Sequence, residues 1–359
     1  MKNAAIPALG IIEGFYGRSY KPKDRKFLIE RIASFGYSFY IYGPKNDEIL
    51  RKKWRSPLDA QTTRLYKDLK ECCMDAGMQA SFALSPLKFT DLTDDEAASL
   101  VLDKISDMLA LFTPSFICLL FDDIPVEHDD LGVRQNTLLK NLLRALPPDL
   151  KLFVCPSFYS FDPVLEKIFG TMPENYFSDL RHDIPPSRLK LFWTGNQVIS
   201  ASIKAEDIKK ARTYTGSEIM LWDNYPVNDG KKICDKLFTA PFFGRDTLKT
   251  LGKDFMHAVN PMCEAALSSI PLSSLPLIYK GAGQAEIEKA YDDELKLHFG
   301  QNALRLKDFL KCCGEEGLEA ASVYKDEILK DLSSVNTLGA AELRSYLNGE
   351  FAFDPACLT

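Results

Sequence analysis

The chain has 359 residues, 46% of them hydrophobic and 26% charged, which is enough apolar content for a sizeable core and excludes disordered and fibrous classes. Its 44 basic and 50 acidic residues give a net charge of -6 and argue against a nucleic-acid partner, since phosphate backbones are held by clustered Lys and Arg. The longest strongly apolar run, Phe116–Phe121, falls far short of the roughly 20 residues of a membrane span, so no membrane partner is expected.

Residues Met1–Gly10 carry one lysine and no long apolar stretch with a cleavage site, so no secretory signal is read there. From Ile6 to about Val259, short apolar runs alternate with amphipathic stretches. The strand candidates are Pro7–Ile12, Ser38–Tyr42, Gln79–Leu84, Ser115–Phe121, Lys151–Cys155, Lys190–Trp193, Ile219–Trp222 and Asp254–Val259. Leu28, Ile32 and Phe35 line one helical face before a stop at Gly36, and Leu65, Leu69 and Cys72 do so before Gly77. Thr93 with Glu96 predicts a capping box, followed by Ala97, Val101, Ile105, Met108 and Phe112 at helical spacing. Leu138, Leu139, Leu142 and Leu143 run to a stop at Pro147–Pro148.

Strands alternating with helices over this length predict an α/β fold, a (β/α)8 barrel of the TIM type, with an open doubly wound sheet as the alternative. Neither a P-loop nor a GxGxxG after a strand is present, so no nucleotide cofactor is expected. Residues 1–267 are read as the catalytic domain and 268–359 as a linker followed by a small helical domain. Ser268–Gln284 is rich in Ser, Pro and Gly and reads as the linker. Beyond it, helical patterns cover Ala285–Phe299, Ala303–Cys313, Leu318–Leu332 and Ala340–Leu347. Nine cysteines without a CxxC pair or zinc spacing read as reduced structural thiols in a cytoplasmic setting.

In such a barrel, chemistry sits at the carboxyl ends of the strands. Those ends hold Glu13–Gly17, Tyr42–Asp47, Phe121–Asp123, Pro156–Tyr159, Trp193–Gly195, Trp222–Pro226 and Asn260–Pro261. Two tryptophans, several tyrosines, a lysine and carboxylates thus converge on one rim, the mixture of apolar faces and fixed polar groups that carbohydrate recognition needs.

Asp122–Asp123 is the sharpest feature. Two adjacent carboxyls behind a buried strand cannot easily both be charged, so one is expected to hold its proton more tightly, as a general acid must. The plain alternative is that one caps a turn while the other faces solvent. Adjacent carboxyls do not match the separations at which an acid and a nucleophile flank a glycosidic bond. They do permit one to protonate the leaving oxygen while the other steers an acetamido group, so that the substrate supplies the nucleophile.

The motifs EGFYG (Glu13–Gly17), YGPKND (Tyr42–Asp47), LLFDDI (Leu119–Ile124), FWTGNQVIS (Phe192–Ser200), WDNYPVND (Trp222–Asp229) and NPM (Asn260–Met262) resemble, in order, those of family 84 glycoside hydrolases. These are the O-GlcNAcases and bacterial β-N-acetylglucosaminidases, and the resemblance covers roughly residues 9 to 270. It implies a retaining enzyme acting on β-linked N-acetylglucosamine, such as that on Ser or Thr of proteins, through an oxazoline and without metal or cofactor. It implies that Asp122 orients the acetamido N–H, that Asp123 is the general acid and then base, and that Tyr159 supports the acetamido carbonyl. Lys45, Asn224, Asp229 and Asn260 match sugar contacts, and Gly14 gives a backbone carbonyl room to approach. Phe15, Tyr16 and Trp222 belong with the pocket walls. Asn46–Asp47, Leu87, Phe158 and Asn196 depart from the family's usual residues, which points to a different preference on the aglycone side. The rivals are a hexosaminidase acting on glycan or hyaluronan fragments, and a sugar-binding module that has lost turnover.

Overall fold

All eight strand candidates are strands, and they close into a barrel in the computed structural model, which describes residues 6–126 and 129–351. The signal-free reading of residues 1–5 and the cysteine at 357 fall outside the described residues. The strands are β1 (Ala8–Glu13), β2 (Phe39–Tyr42), β3 (Gln79–Leu84), β4 (Phe116–Leu120), β5 (Lys151–Cys155), β6 (Leu189–Trp193), β7 (Glu218–Asp223) and β8 (Met256–Val259). Each pairs in parallel with the next, and β8 returns to β1 with Leu9 opposite His257, which rules out the open sheet.

Period-two alternation sorts the strand residues. Ile12, Phe39, Ile41, Cys118, Leu120, Phe153, Phe192, Met220 and Trp222 pack together as one cluster inside the barrel. Ile117, Leu119, Leu152, Val154, Leu191, Ile219 and Leu221 pack in a second cluster with helical residues such as Leu28, Ile32, Val101 and Ile105. Gly10 is glycine because the Phe39 ring occupies the place of a side chain, 2.1 Å from where a Cβ would stand.

The helices follow their local signals. Pro22 opens the helix Pro22–Phe35, and Gly36, at φ 103°, ends it in the left-handed conformation that glycine adopts without steric cost. The capping box at Thr93–Glu96 is formed at the start of the helix Asp94–Phe112. In the helix Ala60–Asp75, Tyr66, Leu69 and Cys73 are the buried residues, one step round from the expected Leu65–Leu69–Cys72 face. The reason is tertiary: the Tyr66 hydroxyl reaches Asp47 at 2.8 Å and draws that face inward.

The segment expected to be a linker is instead two buried helices, Ala265–Leu272 and Leu275–Lys280. The first packs against the helix Pro22–Phe35. Its serines would favour loop in water, but each buried hydroxyl donates to a carbonyl three or four residues back: Ser268 to Glu264 at 2.8 Å, Ser269 to Ala266 at 2.9 Å and Ser273 to Ile270 at 2.8 Å. Beyond it, helices Gln284–Phe299, Ala303–Glu315 and Leu338–Leu347 enclose a separate apolar cluster. That cluster includes Met262, Leu267 and Ile270 from the barrel side. The stretch expected as one helix over Leu318–Leu332 is broken at the short turn Ser322–Tyr324.

Candidate active site

Residues just past the carboxyl ends of the strands line an open-mouthed cavity of about 120 Å³. Asp122, Asp123, Lys45, Tyr159, Tyr16, Gly14, Trp222, Asn224, Asp229 and Asn260 all lie in its wall. Neighbouring residues in extended chain would point to opposite faces, but here both aspartates reach the same cavity. The chain has left β4 at Leu120, and Asp123 takes φ 63°, a left-handed conformation that Asp tolerates better than most residues.

Lys45 follows Pro44 in a loop pinned from two sides. Its N–H donates to the Phe15 carbonyl at 3.2 Å, while Asp47 accepts from the Tyr42 and Tyr66 hydroxyls at 2.9 and 2.8 Å. The buried Lys45 ammonium pairs closely with Asp122 Oδ2 and stands 3.8 Å from Asp123 Oδ2. Asp122 Oδ1, also buried, has no hydrogen-bond partner. An unpartnered buried carboxylate oxygen is costly, and an acceptor aimed at an absent donor is what a steering group requires.

Burial, then the neighbouring Asp122 charge, raises the Asp123 carboxyl above its ordinary range, against the opposing pull of Lys45. Asp123 Oδ2 also accepts a short hydrogen bond from the Tyr16 hydroxyl. Burial and the two aspartates hold Tyr159 protonated, so its hydroxyl is available as a donor into the cavity. The Asp229 carboxyl is raised to about 6 by burial, although it accepts from the Tyr16 N–H at 2.7 Å.

The opposite wall is a chain of amides. Gly14 N–H donates to Asn260 Oδ1 at 3.3 Å, Asn260 Nδ2 donates to Asn224 Oδ1 at 3.0 Å, and Trp222 Nε1 donates to that same oxygen at 2.9 Å. Gly14 has a specific steric reason: a Cβ there would stand 2.5 Å from the Trp222 ring. Asp223, between Trp222 and Asn224, is clamped by Arg245 at 2.8 and 3.0 Å and by His257 at 3.1 Å. Burial alone would raise the Asp223 carboxyl, but Arg245 and His257 bring it down to about 2.

Two expectations fail here. Phe15 does not line the cavity; its ring is buried in the core, 5.0 Å from the Tyr20 ring. Trp193 does not share the rim with Trp222: Phe192 takes the barrel interior, so its neighbour faces the helices, 4.9 Å from the Phe161 ring. The wall also includes Cys155, Val198, Ile199 and Val227, none of which the sequence reading assigned to the site, and Thr194, which it placed at a strand end without a role. Of these, Thr194, Val198 and Ile199 fall in its FWTGNQVIS motif and Val227 in WDNYPVND, so motif membership was the signal that could have found them. None of the departing residues Asn46, Asp47, Leu87, Phe158 and Asn196 lines the cavity. Asn46 instead ties Gly17 and Ser19 at 2.9 and 2.8 Å, and Phe158 packs edge-on against Tyr176. Among the described residues, no group of three or more His, Cys, Asp and Glu side chains is arranged to hold a metal ion.

A family model described as beta-N-acetylglucosaminidase matches residues 9–311. The Protein O-GlcNAcase of Rattus norvegicus is 24% identical over 281 residues, 76% of this chain and 30% of its own length. The Mus musculus protein of the same name matches to the same extent. This chain therefore spans about 30% of the length of the curated relatives it matches. The solved structure of a Thermobaculum terrenum O-GlcNAc hydrolase mutant has a TM-score of 0.78 at 24% identity, covering 96% of this chain and 81% of that one. A structure named CpGH84B has a TM-score of 0.76 at 22% identity, covering 98% of this chain and 67% of that one, so the same fold extends through the helical tail.

Proposed function

Because this chain belongs to the beta-N-acetylglucosaminidase family, glycoside hydrolase family 84, we propose that it removes terminal β-linked N-acetylglucosamine with retention, by substrate assistance. The observation that carries the proposal is the Asp122–Asp123 pair: a carboxylate with one buried oxygen left unpartnered, beside a carboxyl whose proton is held by burial.

Asp122 Oδ1 accepts the acetamido N–H of the bound sugar, which makes the acetamido oxygen more nucleophilic and directs it at the anomeric carbon. Tyr159 donates to that oxygen. Asp123 gives its proton to the leaving oxygen as the glycosidic C–O bond breaks and the acetamido C–O bond forms. The ionised Asp123 then takes a proton from water, which opens the oxazoline at the anomeric carbon and restores the starting configuration. The Lys45 ammonium, paired with Asp122 Oδ2, places a positive charge beside the steering carboxyl and fixes its orientation. The Asn224–Asn260 pair, Asp229 and the Trp222 face hold the sugar, with Gly14 leaving room at that wall.

The same proposal takes O-GlcNAc on Ser or Thr of proteins as the substrate. An apolar groove of about 520 Å³, which shares Ile199, Asn224 and Val227 with the cavity, supports a peptide aglycone over a glycan one. A reducing, cytoplasmic setting belongs to this reading and is supported by the free thiols of Cys72, Cys73, Cys118, Cys155, Cys234, Cys312 and Cys313.

The test is an aryl β-N-acetylglucosaminide series with increasing fluorination of the N-acetyl group. The rate should fall steeply as the acetamido oxygen loses nucleophilicity. Indifference to fluorination would require an enzyme nucleophile, and absence of hydrolysis would leave a sugar-binding module.

A further inference from the structure

Arg51 lies outside every motif that carries the family resemblance, yet it reaches the acid. Its side chain is buried, its guanidinium carbon stands 5.3 Å from the centre of the Tyr16 ring, and its Nη2 donates to the Tyr16 hydroxyl at 3.3 Å. Nε and Nη1 are buried with no hydrogen-bond partner, and among the described residues no carboxylate pairs with Arg51. A buried cation that makes no direct salt bridge is expensive, and an apolar side chain would fill the same space at less cost; the carboxyl within its electrostatic reach is Asp123. Packing therefore does not account for a guanidinium here.

The chemistry of the contact does. Arginine has donors only, whereas a tyrosine hydroxyl has one proton and accepts through its oxygen. With Arg51 on the oxygen, the hydroxyl proton is turned toward the remaining acceptor in reach, Asp123 Oδ2. Lys45 approaches that same oxygen at 3.8 Å.

We propose that Arg51 is a positioning residue that acts through Tyr16 to keep Asp123 Oδ2 an acceptor, so that the proton Asp123 transfers is carried on Oδ1. This rests on the reading of Asp123 as the acid and then the base. Held in this way, the carboxyl presents its proton from one oxygen in the first step and is favoured as a carboxylate for the second.

The experiment titrates the Asp123 carboxyl directly, by 13C NMR of Asp-labelled protein assigned with Asp123→Asn, alongside the pH profile of kcat/KM. Arg51→Met should move the Asp123 midpoint up by about one pH unit, since a nearby cation and its relayed hydrogen bond no longer favour the ionised form. The basic limb of the profile should move with it. Arg51→Lys should restore most of the midpoint. In a Tyr16→Phe background, Arg51→Met should shift the midpoint less than it does alone. A midpoint unchanged by Arg51→Met, whatever its effect on Tm or rate, would reduce Arg51 to a loop prop and overturn the proposal. Should Arg51→Met fail to fold, Tyr16→Phe must raise the midpoint by itself, and its failure to do so overturns the proposal equally. The titration needs no turnover, so a wild type inactive on N-acetylglucosaminides would defeat the proposed function without deciding this point.

Discussion

Lys45 and Asp122 form a buried ion pair in the wall of the cavity, in which the lysine engages one carboxyl oxygen and leaves the other without a partner. Burial works against charge on Lys45, yet Asp122 and then Asp123 hold its ammonium above the ordinary range. The pair thus fixes Asp122 through one oxygen and leaves the other oxygen as an acceptor.

Lys45→Met removes the cation from both aspartates. Losing one partner of a buried charge pair costs about 2–5 kcal/mol, so kcat/KM on an aryl N-acetylglucosaminide should fall on the order of 10²-fold or more. A variant with near wild-type kcat/KM would show that Asp122 does not depend on this lysine.

The two aspartates should separate kinetically. Asp123→Asn should cost roughly 10²–10⁴ with poor leaving groups and far less with activated aryl ones, because only the former need the proton. Asp122→Asn should slow both classes, because each requires the acetamide to be steered. The comparison is a plot of rate against leaving-group pKa for the two variants. Parallel lines for Asp123→Asn and wild type would remove Asp123 from the acid role.

Gly14→Ala drives a methyl group into the Trp222 ring, where a Cβ would stand at 2.5 Å. Overpacking of this kind costs about 1–3 kcal/mol, and here it displaces a cavity wall. We expect a lower Tm together with a raised KM, and relief of both on combination with Trp222→Phe. An unchanged KM would place the strain away from the sugar site.

Glu342 links the helical tail to the barrel side by accepting the Ala266 and Leu267 N–H groups at 3.0 and 2.9 Å. Burial raises its carboxyl to about 8. The native state therefore binds this proton more tightly than the unfolded chain. The stability it contributes is fully present below the ordinary carboxyl range and is lost as pH rises toward about 8. Because an amide NH2 cannot accept the second of these N–H groups, Glu342→Gln should be destabilising at acid pH, by about 1 kcal/mol or a few degrees in Tm, and progressively less so as pH rises toward about 8. Thermal melts of both proteins across that range check it, and equal Tm differences at the two ends would contradict it.

The sequence by itself determined the strands, their order and most of the cavity wall, while the β8–β1 pairing that closes a barrel rather than an open sheet came from the tertiary structure. The sequence signals are local: period-two apolar runs, capping and stop residues, and motifs set at strand ends. Tertiary structure decided what depends on neighbours distant in the chain. Whether Trp193 or Phe192 turns inward follows from the barrel's sense of alternation. Ser268–Ser273 reads as linker until burial gives its hydroxyls only backbone carbonyls to bond. Asp122 and Asp123 share a cavity because a left-handed residue follows the strand. Arg51 reaches the acid only because the loop after β2 folds back over Tyr16, a contact between residues 35 positions apart that no local pattern encodes.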